Sequence, residues 1–242
     1  MKIWISAPST SIAARATAHG EPSTRAVTPT GSNADAMLKI AALCGEYGHT
    51  YATGSWWPDE DELRRRGIAV VRFVQRPGEL VYVGIGTLHW VRAEGATVNI
   101  AWNVGPATVR QFQAAVRRYQ LNRERQAKSI VPLQTLAWSL LTAGLVSGGN
   151  ASLVDSVREF CRSSLREERQ AADMCLQHNI VNRQRTVNLF CASCLGELFN
   201  HVFTSRKKDY CGRCVELLKL HQSVTVTLGR PLGELEELFA SC

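Results

Sequence analysis

The sequence has no apolar run of the roughly 18 residues that a membrane-spanning helix requires. Its first ten residues, MKIWISAPST, contain a single lysine, so they do not predict a secretory signal peptide. No internal repeat is visible, which argues against a repeat protein. These absences predict a chain that is neither embedded in a membrane nor exported.

Acidic residues are outnumbered by basic ones. Among 242 residues, 28 are Lys or Arg and 21 are Asp or Glu, which gives a net charge of +7. This excess favours anionic partners such as nucleic acid or the nucleosome surface, and a solvated basic surface is the equally weighted alternative. A hydrophobic content of 45% fits one medium domain with an appendage, or two small domains.

The eight cysteines are not distributed like a disulfide framework. Four of them form two CxxC pairs, and the other four (Cys44, Cys161, Cys175, Cys242) are scattered. Without a secretory signal, this pattern predicts reduced thiols, a metal site and an intracellular location.

The two CxxC pairs predict a zinc site. CASC at 191–194 and CGRC at 211–214 form the spacing CxxC-x16-CxxC, in which each short turn directs two sulfurs at one ion. We expect Cys191, Cys194, Cys211 and Cys214 to bind a structural Zn²⁺, because four protein ligands leave no position for a substrate. Free cysteines or a redox pair are the alternative.

Periodicity predicts an α+β chain with four parts. Residues 1–33 lack a period and are interpreted as a loop or disordered stretch. Residues 34–106 begin with helices and continue as strands rich in Val, Ile, Phe and Tyr. Residues 107–185 are helical by the spacing of their apolar side chains. Residues 186–242 form the cysteine-bearing module and a closing helix.

Several segments together resemble a known family. GSWWP, VVRFVQRPGELVYVGIGTLHWV, VNIAWNVGP, RRYQLNR and KSIVPLQTLAWSL are similar to the C-terminal half of the JmjC histone demethylases that act on methylated lysine 27 of histone H3. The two CxxC pairs match the zinc-binding extension of that subfamily. The resemblance covers roughly three quarters of the chain, from near residue 54 to the cysteines.

The resemblance implies a partial double-stranded β-helix, the JmjC jelly roll, followed by a helical region and a zinc-binding module. In this family, two histidines and one carboxylate hold Fe(II), 2-oxoglutarate chelates the metal, and hydroxylation of the lysine N-methyl group releases formaldehyde. His89 matches the last of the three iron ligands. Asn99 matches one of two asparagines that line the methyl-lysine pocket, and Val98 replaces the other.

The other two iron ligands are not recognisable. His19-Gly20-Glu21 is a literal His-x-Glu, but its neighbours have poor strand character and Pro22 follows at once. The motif is therefore interpreted as a coincidence, with an iron-binding role as the open alternative. Residues 1–5 are interpreted as a remnant of the family's next strand. On that interpretation the first two ligands and the 2-oxoglutarate-binding residues precede Met1.

Two hypotheses about function follow. The first is an Fe(II)- and 2-oxoglutarate-dependent histone demethylase of the nucleus, whose activity in this chain is doubtful with one recognisable ligand of three. The second is a non-catalytic chromatin module that binds the histone H3 tail. Both imply nucleosomes and chromatin-complex subunits as partners, with non-specific DNA contact from the basic surface.

Overall fold

A computed structural model describes residues 11–17, 24–30, 33–49, 57–84, 87–93, 98–129, 131–142 and 151–241. The chain forms two compact units, Met1–Pro106 and Ala107–Cys242. Helices and strands are both present, so the predicted mixture of α and β structure is confirmed. Within the described residues, no helix is long and apolar enough to cross a bilayer.

The first unit contains two three-stranded antiparallel sheets, ordered β4-β1-β6 and β3-β2-β5. Its elements are β1 (Ser11–Thr17), β2 (Thr24–Thr30), α1 (Asn33–Glu46), α2 (Glu60–Arg65), β3 (Ala69–Gln75), β4 (Leu80–Val83), β5 (Trp90–Ala93) and β6 (Val98–Val104). The predicted helices and the four later strands are therefore present. Asp59 begins α2, because its carboxylate accepts a hydrogen bond from the Glu62 amide at 2.9 Å.

The prediction of a loop or disordered stretch over residues 1–33 is wrong for its two described segments. Ser11–Thr17 is the central strand of one sheet, and Thr24–Thr30 is the central strand of the other. Within β2, Pro29 faces Val70 of β3, and the described ladder with β5 covers Thr24–Val27. Strand formation here depends on pairing with distant partners, which local composition does not report.

The core of the first unit lies around α1, α2 and β5. Its fully buried members are Ile40, Leu43, Cys44, Leu63, Ile68, Leu88 and Trp90. In contrast, the sheet that contains β4 and β6 keeps large apolar side chains in contact with water: Leu80, Tyr82, Val98, Ile100 and Trp102.

The second unit combines a helical layer with the cysteine-bearing module. Its elements are α3 (Val109–Glu124), α4 (Leu133–Thr142), α5 (Ala151–Gln177), β7 (His201–Ser205), β8 (Lys208–Tyr210), α6 (Gly212–Leu217), β9 (Thr225–Leu228) and α7 (Leu232–Ser241). β7 is the central strand of an antiparallel sheet ordered β8-β7-β9. The predicted helices, including the closing helix, are present.

A buried chain of hydrogen bonds joins the first three helices of this unit. The Trp138 indole donates to Ser164 Oγ at 3.1 Å, and that hydroxyl donates to Gln134 Oε1 at 2.8 Å. The Gln134 amide nitrogen in turn donates to the Tyr119 hydroxyl at 2.9 Å. Because each polar group has a partner, the network fixes the helices without the cost of an unsatisfied buried group.

Candidate metal centre

Four cysteine side chains converge in the second unit. The sulfur atoms of Cys191, Cys194, Cys211 and Cys214 all lie within 4.8 Å of one another. Cys191 and Cys214 are buried, and the other two are partly exposed. The four residues that the CxxC spacing selected are therefore close enough to hold one metal ion.

The first CxxC pair lies in a tight turn whose backbone closes on itself. The Leu195 amide donates to the Cys191 carbonyl at 3.0 Å, and the Cys191 amide donates to the Gly196 carbonyl at 2.9 Å. Leu195 is left-handed, with φ 58°. A Cβ atom on Gly196 would lie 3.3 Å from Cys194 Sγ, so glycine keeps the space beside the sulfur open.

The second pair lies where a strand ends and a short helix begins. Cys211 is the N-cap residue of α6, and Cys214 lies within that helix. The Cys211 amide points at Cys191 Sγ, 3.4 Å away. The β7–β8 hairpin therefore carries the second pair across to the first.

The sulfurs strongly affect one another's protonation. Hydrogen bonding, from Cys194 first and then from Cys211 and Cys214, holds the pKa of the Cys191 thiol far below its usual value. The same contacts, with Cys191 first, raise the pKa of Cys211. A bound cation would favour the thiolate at each position, so the cluster suits a metal better than four competing protons.

Glu197 connects the first cysteine turn to the helical layer. Its buried carboxylate accepts hydrogen bonds from the backbone amides of Gln134 and Thr135 at 2.8 and 3.0 Å, and from Thr135 Oγ1 at 2.9 Å. It thereby satisfies free amides at the start of α4. Burial raises the pKa of Glu197, against the opposing effect of these hydrogen bonds.

A second buried carboxylate holds the start of β7. Glu168 Oε2 lies 2.6 Å from His201 Nδ1 and accepts a hydrogen bond from the His201 amide at 3.2 Å. His201 is thus engaged by α5, and it does not belong to the cysteine cluster.

A cavity of about 780 Å³ opens beside the cysteine cluster. Cys194, Cys211 and Cys214 border it, as do the rings of His178 and His221, whose centroids stack at 4.2 Å. Two arginines and six carboxylates line this cavity, and we call it the acidic groove. The carboxylates are those of Glu124, Glu167, Glu168, Asp173, Glu197 and Glu216. Such a groove attracts cationic ligands.

His89 is buried in the first unit, with 3% of its surface exposed. Its Nδ1 lies 3.3 Å from the Thr87 carbonyl oxygen. Burial lowers the pKa of His89, and the contact with Thr87 opposes this effect. Neutral imidazole is the form that binds metals. Trp90 is also buried, so both faces of this segment are covered.

The other predicted site residues lie on β6 or outside the described residues. Asn99 lies on β6, where its backbone pairs with Ala16. His19, Glu21 and residues 1–5 lie outside the described residues. The argument from poor strand character is weakened, because β1 ends at Thr17 and β2 begins at Thr24, on either side of the motif.

Sequence reasoning missed Glu197, Glu168 and Asp209. Asp209 is 1% exposed and accepts hydrogen bonds from Asn188 and Thr204. Each carboxylate bonds groups far away in the chain, so no local spacing marks it. The local sequence gives little signal either, since Glu168 lies in the charged run 166–169 and Asp209 follows Lys208.

Two protein families match this chain in sequence. Residues 28–104 match the JmjC domain, hydroxylase, and residues 111–167 match the C-terminal helical domain of lysine-specific demethylase 6/UTY. The boundary between these matches coincides with the boundary between the two compact units. The resemblance read from the motifs is therefore confirmed.

Two relatives show the same likeness. Human lysine-specific demethylase 6B is 52% identical over 101 residues, which cover 42% of this chain and 6% of the relative. Lysine-specific demethylase jmjd-3.1 of Caenorhabditis elegans is 28% identical over 189 residues, which cover 73% of this chain and 18% of the relative. The chain thus spans less than a fifth of the length of either relative.

Proposed function

We propose that this chain, which joins a JmjC segment to the C-terminal helical domain of the lysine-specific demethylase 6 family, is a demethylase-like chromatin protein directed at lysine 27 of histone H3. The observation that carries the proposal is the order of its parts: the JmjC match, the helical match and then the cysteine cluster. The proposal includes a nuclear location and chromatin-complex partners.

The iron site of this proposal rests on His89. In this family, bound iron would catalyse oxidation of a methyl group, with 2-oxoglutarate and oxygen as co-substrates. The described residues do not fit a complete iron site, because the cysteine cluster is the only group of three or more metal-binding side chains among them. One imidazole leaves most coordination positions to water, so no reaction step is assigned to this chain.

The cysteine cluster fits zinc. Its four sulfurs match the ligand number and type of a closed tetrahedral site. We propose that Cys191, Cys194, Cys211 and Cys214 bind Zn²⁺, which joins the first turn to α6 and supplies folding energy to a module with a small core. The ion has a structural role, because no ligand position remains for water or substrate.

The second candidate function, a non-catalytic module that binds the histone tail, is favoured by the acidic groove. A histone tail is cationic, and three of the six groove carboxylates, Glu124, Asp173 and Glu216, are exposed to solvent. The groove lies within the second unit, so tail binding does not depend on the iron ligands. Asn99 stays a proposed substrate contact of the first unit.

The demethylase hypothesis is tested by formaldehyde release from a trimethyl-lysine-27 peptide with Fe(II), ascorbate and 2-oxoglutarate. We expect no turnover from this chain above a His89→Ala control, and weak iron binding. Turnover that the control lacks would contradict this expectation, and His19 and Glu21 would then be the first residues to substitute.

Tail binding is tested by calorimetry with the same peptide. Neutralising two exposed groove acids, Asp173→Asn and Glu216→Gln, should weaken binding about tenfold or more in low salt. The matched control neutralises Glu234 and Glu237, which are exposed on α7 outside the groove. Equal affinity in the two variants would contradict a role for the acidic groove.

A further inference from the structure

The β7–β8 hairpin presents three consecutive cations to solvent. Arg206 and Lys207 form the turn, and Lys208 pairs with Ser205 to close it. All three are exposed. In the part of the chain that the structure describes, none of the three forms an ion pair with a carboxylate. Among the described residues, no carboxylate pairs with the like charges that the hairpin holds together.

The backbone of this turn is unfavourable for the residues that occupy it. Arg206 and Lys207 have φ values of 47° and 64°, the left-handed region that L-residues with a Cβ avoid. A two-residue hairpin turn with both φ values positive is normally formed by Asn-Gly or similar pairs. Strained backbone of this kind is concentrated at functional sites.

The base of the hairpin is firmly held. The buried Asp209 carboxylate accepts hydrogen bonds from the Asn188 amide at 2.8 Å, from Asn188 Nδ2 at 2.7 Å and from Thr204 Oγ1 at 2.7 Å. Ser205 is buried as well. The turn is thus positioned by buried contacts, and the three cationic side chains project from a fixed support.

We propose that Arg206, Lys207 and Lys208 form a contact site for the phosphate backbone of double-stranded DNA. Duplex DNA carries about one negative charge per 1.7 Å, so it matches three adjacent cations and the net charge of +7. The tip has no apolar side chain to insert into a lipid surface. The choice of DNA as the polyanion rests on the proposed chromatin function.

The test measures anisotropy of a labelled 20-base-pair duplex with the full chain at 50–200 mM salt. In the test variant, Arg206→Asn and Lys207→Gly install a favourable turn, and Lys208→Gln removes the third charge. Loss of three phosphate contacts lowers the slope of log affinity against log salt by about 2.7. Over this range the wild-type chain should therefore lose about 40-fold more affinity than the variant.

A matched control removes the same charge elsewhere, by Arg110→Gln, Arg117→Gln and Lys219→Asn at exposed positions. It should retain most of the salt slope. The hairpin variant should melt at the same or a higher temperature than wild type with unchanged zinc content, because Asn-Gly suits the turn.

Three results would overturn the proposal: no duplex binding by wild type at 50 mM salt, equal slopes in wild type and the hairpin variant, or equal losses in the variant and the control. A larger loss of binding to phosphatidylserine vesicles than to duplex would also overturn it, in favour of a membrane surface. Binding of the lysine-27 peptide should be unchanged in the hairpin variant. Failure of the DNA site and failure of the acidic groove are thus distinguishable.

Discussion

The two compact units bury their polar groups in different ways. In the first unit, the buried His89 has one hydrogen-bond contact within the described residues, at 3.3 Å to the Thr87 carbonyl. In the second unit, Glu197 accepts three hydrogen bonds from the start of α4, two of them from backbone amides. A buried group with several partners fixes the elements around it more firmly than one with a single weak partner.

The two units also differ in how completely they bury their large apolar side chains. The second unit packs its helices around a large core that includes Phe112, Trp138 and Leu165. The first unit leaves Tyr82 63% exposed and Trp102 44% exposed on one sheet. Large exposed apolar side chains on one sheet are a feature of interaction surfaces. The comparison indicates that the second unit is the more self-sufficient of the two.

Loss of the metal should give the largest difference in stability between the two units. Cys214→Ser is expected to abolish zinc binding and to unfold the cysteine-bearing module, because structural zinc contributes on the order of 10 kcal/mol to such modules. Hydrogen exchange should then become fast at β7 and β9 and stay unchanged at β3. The control is Cys175→Ser, since Cys175 lies outside the cluster. Protected β7 amides in a zinc-free protein would contradict the prediction.

Removing the Glu197 carboxylate should have the next largest effect. Glu197→Ala leaves buried amides of α4 without partners and should lower the free energy of unfolding of the second unit by about 3 kcal/mol. Glu197→Gln should cost less, because its amide oxygen still accepts a hydrogen bond. Denaturant unfolding measures both, with the exposed Glu237→Ala as control. Equal stability of Glu197→Ala and this control would refute the connection.

Glu197 also predicts a pH dependence. Since burial raises its pKa above 4.5, the folded state binds the proton more tightly than the unfolded state. The contribution of Glu197 to stability therefore decreases as pH rises from 4.5 through the raised value. Glu197→Gln should remove this component of the stability profile, which is measured by denaturant midpoints at successive pH values.

His89 should give the first unit the opposite pH dependence. Its pKa is lowered by burial below 6.5, so the unfolded state binds the proton more tightly. Stability should be fully present above pH 6.5 and should be lost as pH falls through the lowered value. Tryptophan fluorescence should report this loss in wild type and not in His89→Gln. The exposed His49→Gln should behave like wild type, and an identical profile in all three proteins would contradict the prediction.

The surface ion pairs of the first unit should have the smallest effect. Arg66 contacts Glu46 and Glu62, and thereby joins α2 to the end of α1. Because Glu46 is exposed and Glu62 is only partly buried, Arg66→Gln should lower the melting temperature less than Glu197→Gln does. The difference from wild type should shrink in 1 M salt. A large, salt-independent loss would show that Arg66 acts through packing.

Part of the fold could be predicted because its signals are local. The helical spacing of Phe112, Val116 and Tyr119 and the alternation before His89 each report which side chains are buried together. The strands Ser11–Thr17 and Thr24–Thr30 could not be predicted in this way. Their residues have weak strand preference, and they become central strands through partners 39 to 93 residues away.

The sequence by itself determined the cysteine cluster, because a CxxC turn directs its sulfurs to one point whatever surrounds it. It also determined the family resemblance and the burial of His89, which follow from contiguous motifs. Only the tertiary structure decided that Glu197 accepts hydrogen bonds from the first amides of α4 and that Glu168 contacts His201. It also decided that several carboxylates lie beside the cysteines. These contacts join residues up to 63 positions apart. Buried polar groups of this kind take whichever partner the fold supplies, so their partners follow from packing and not from spacing.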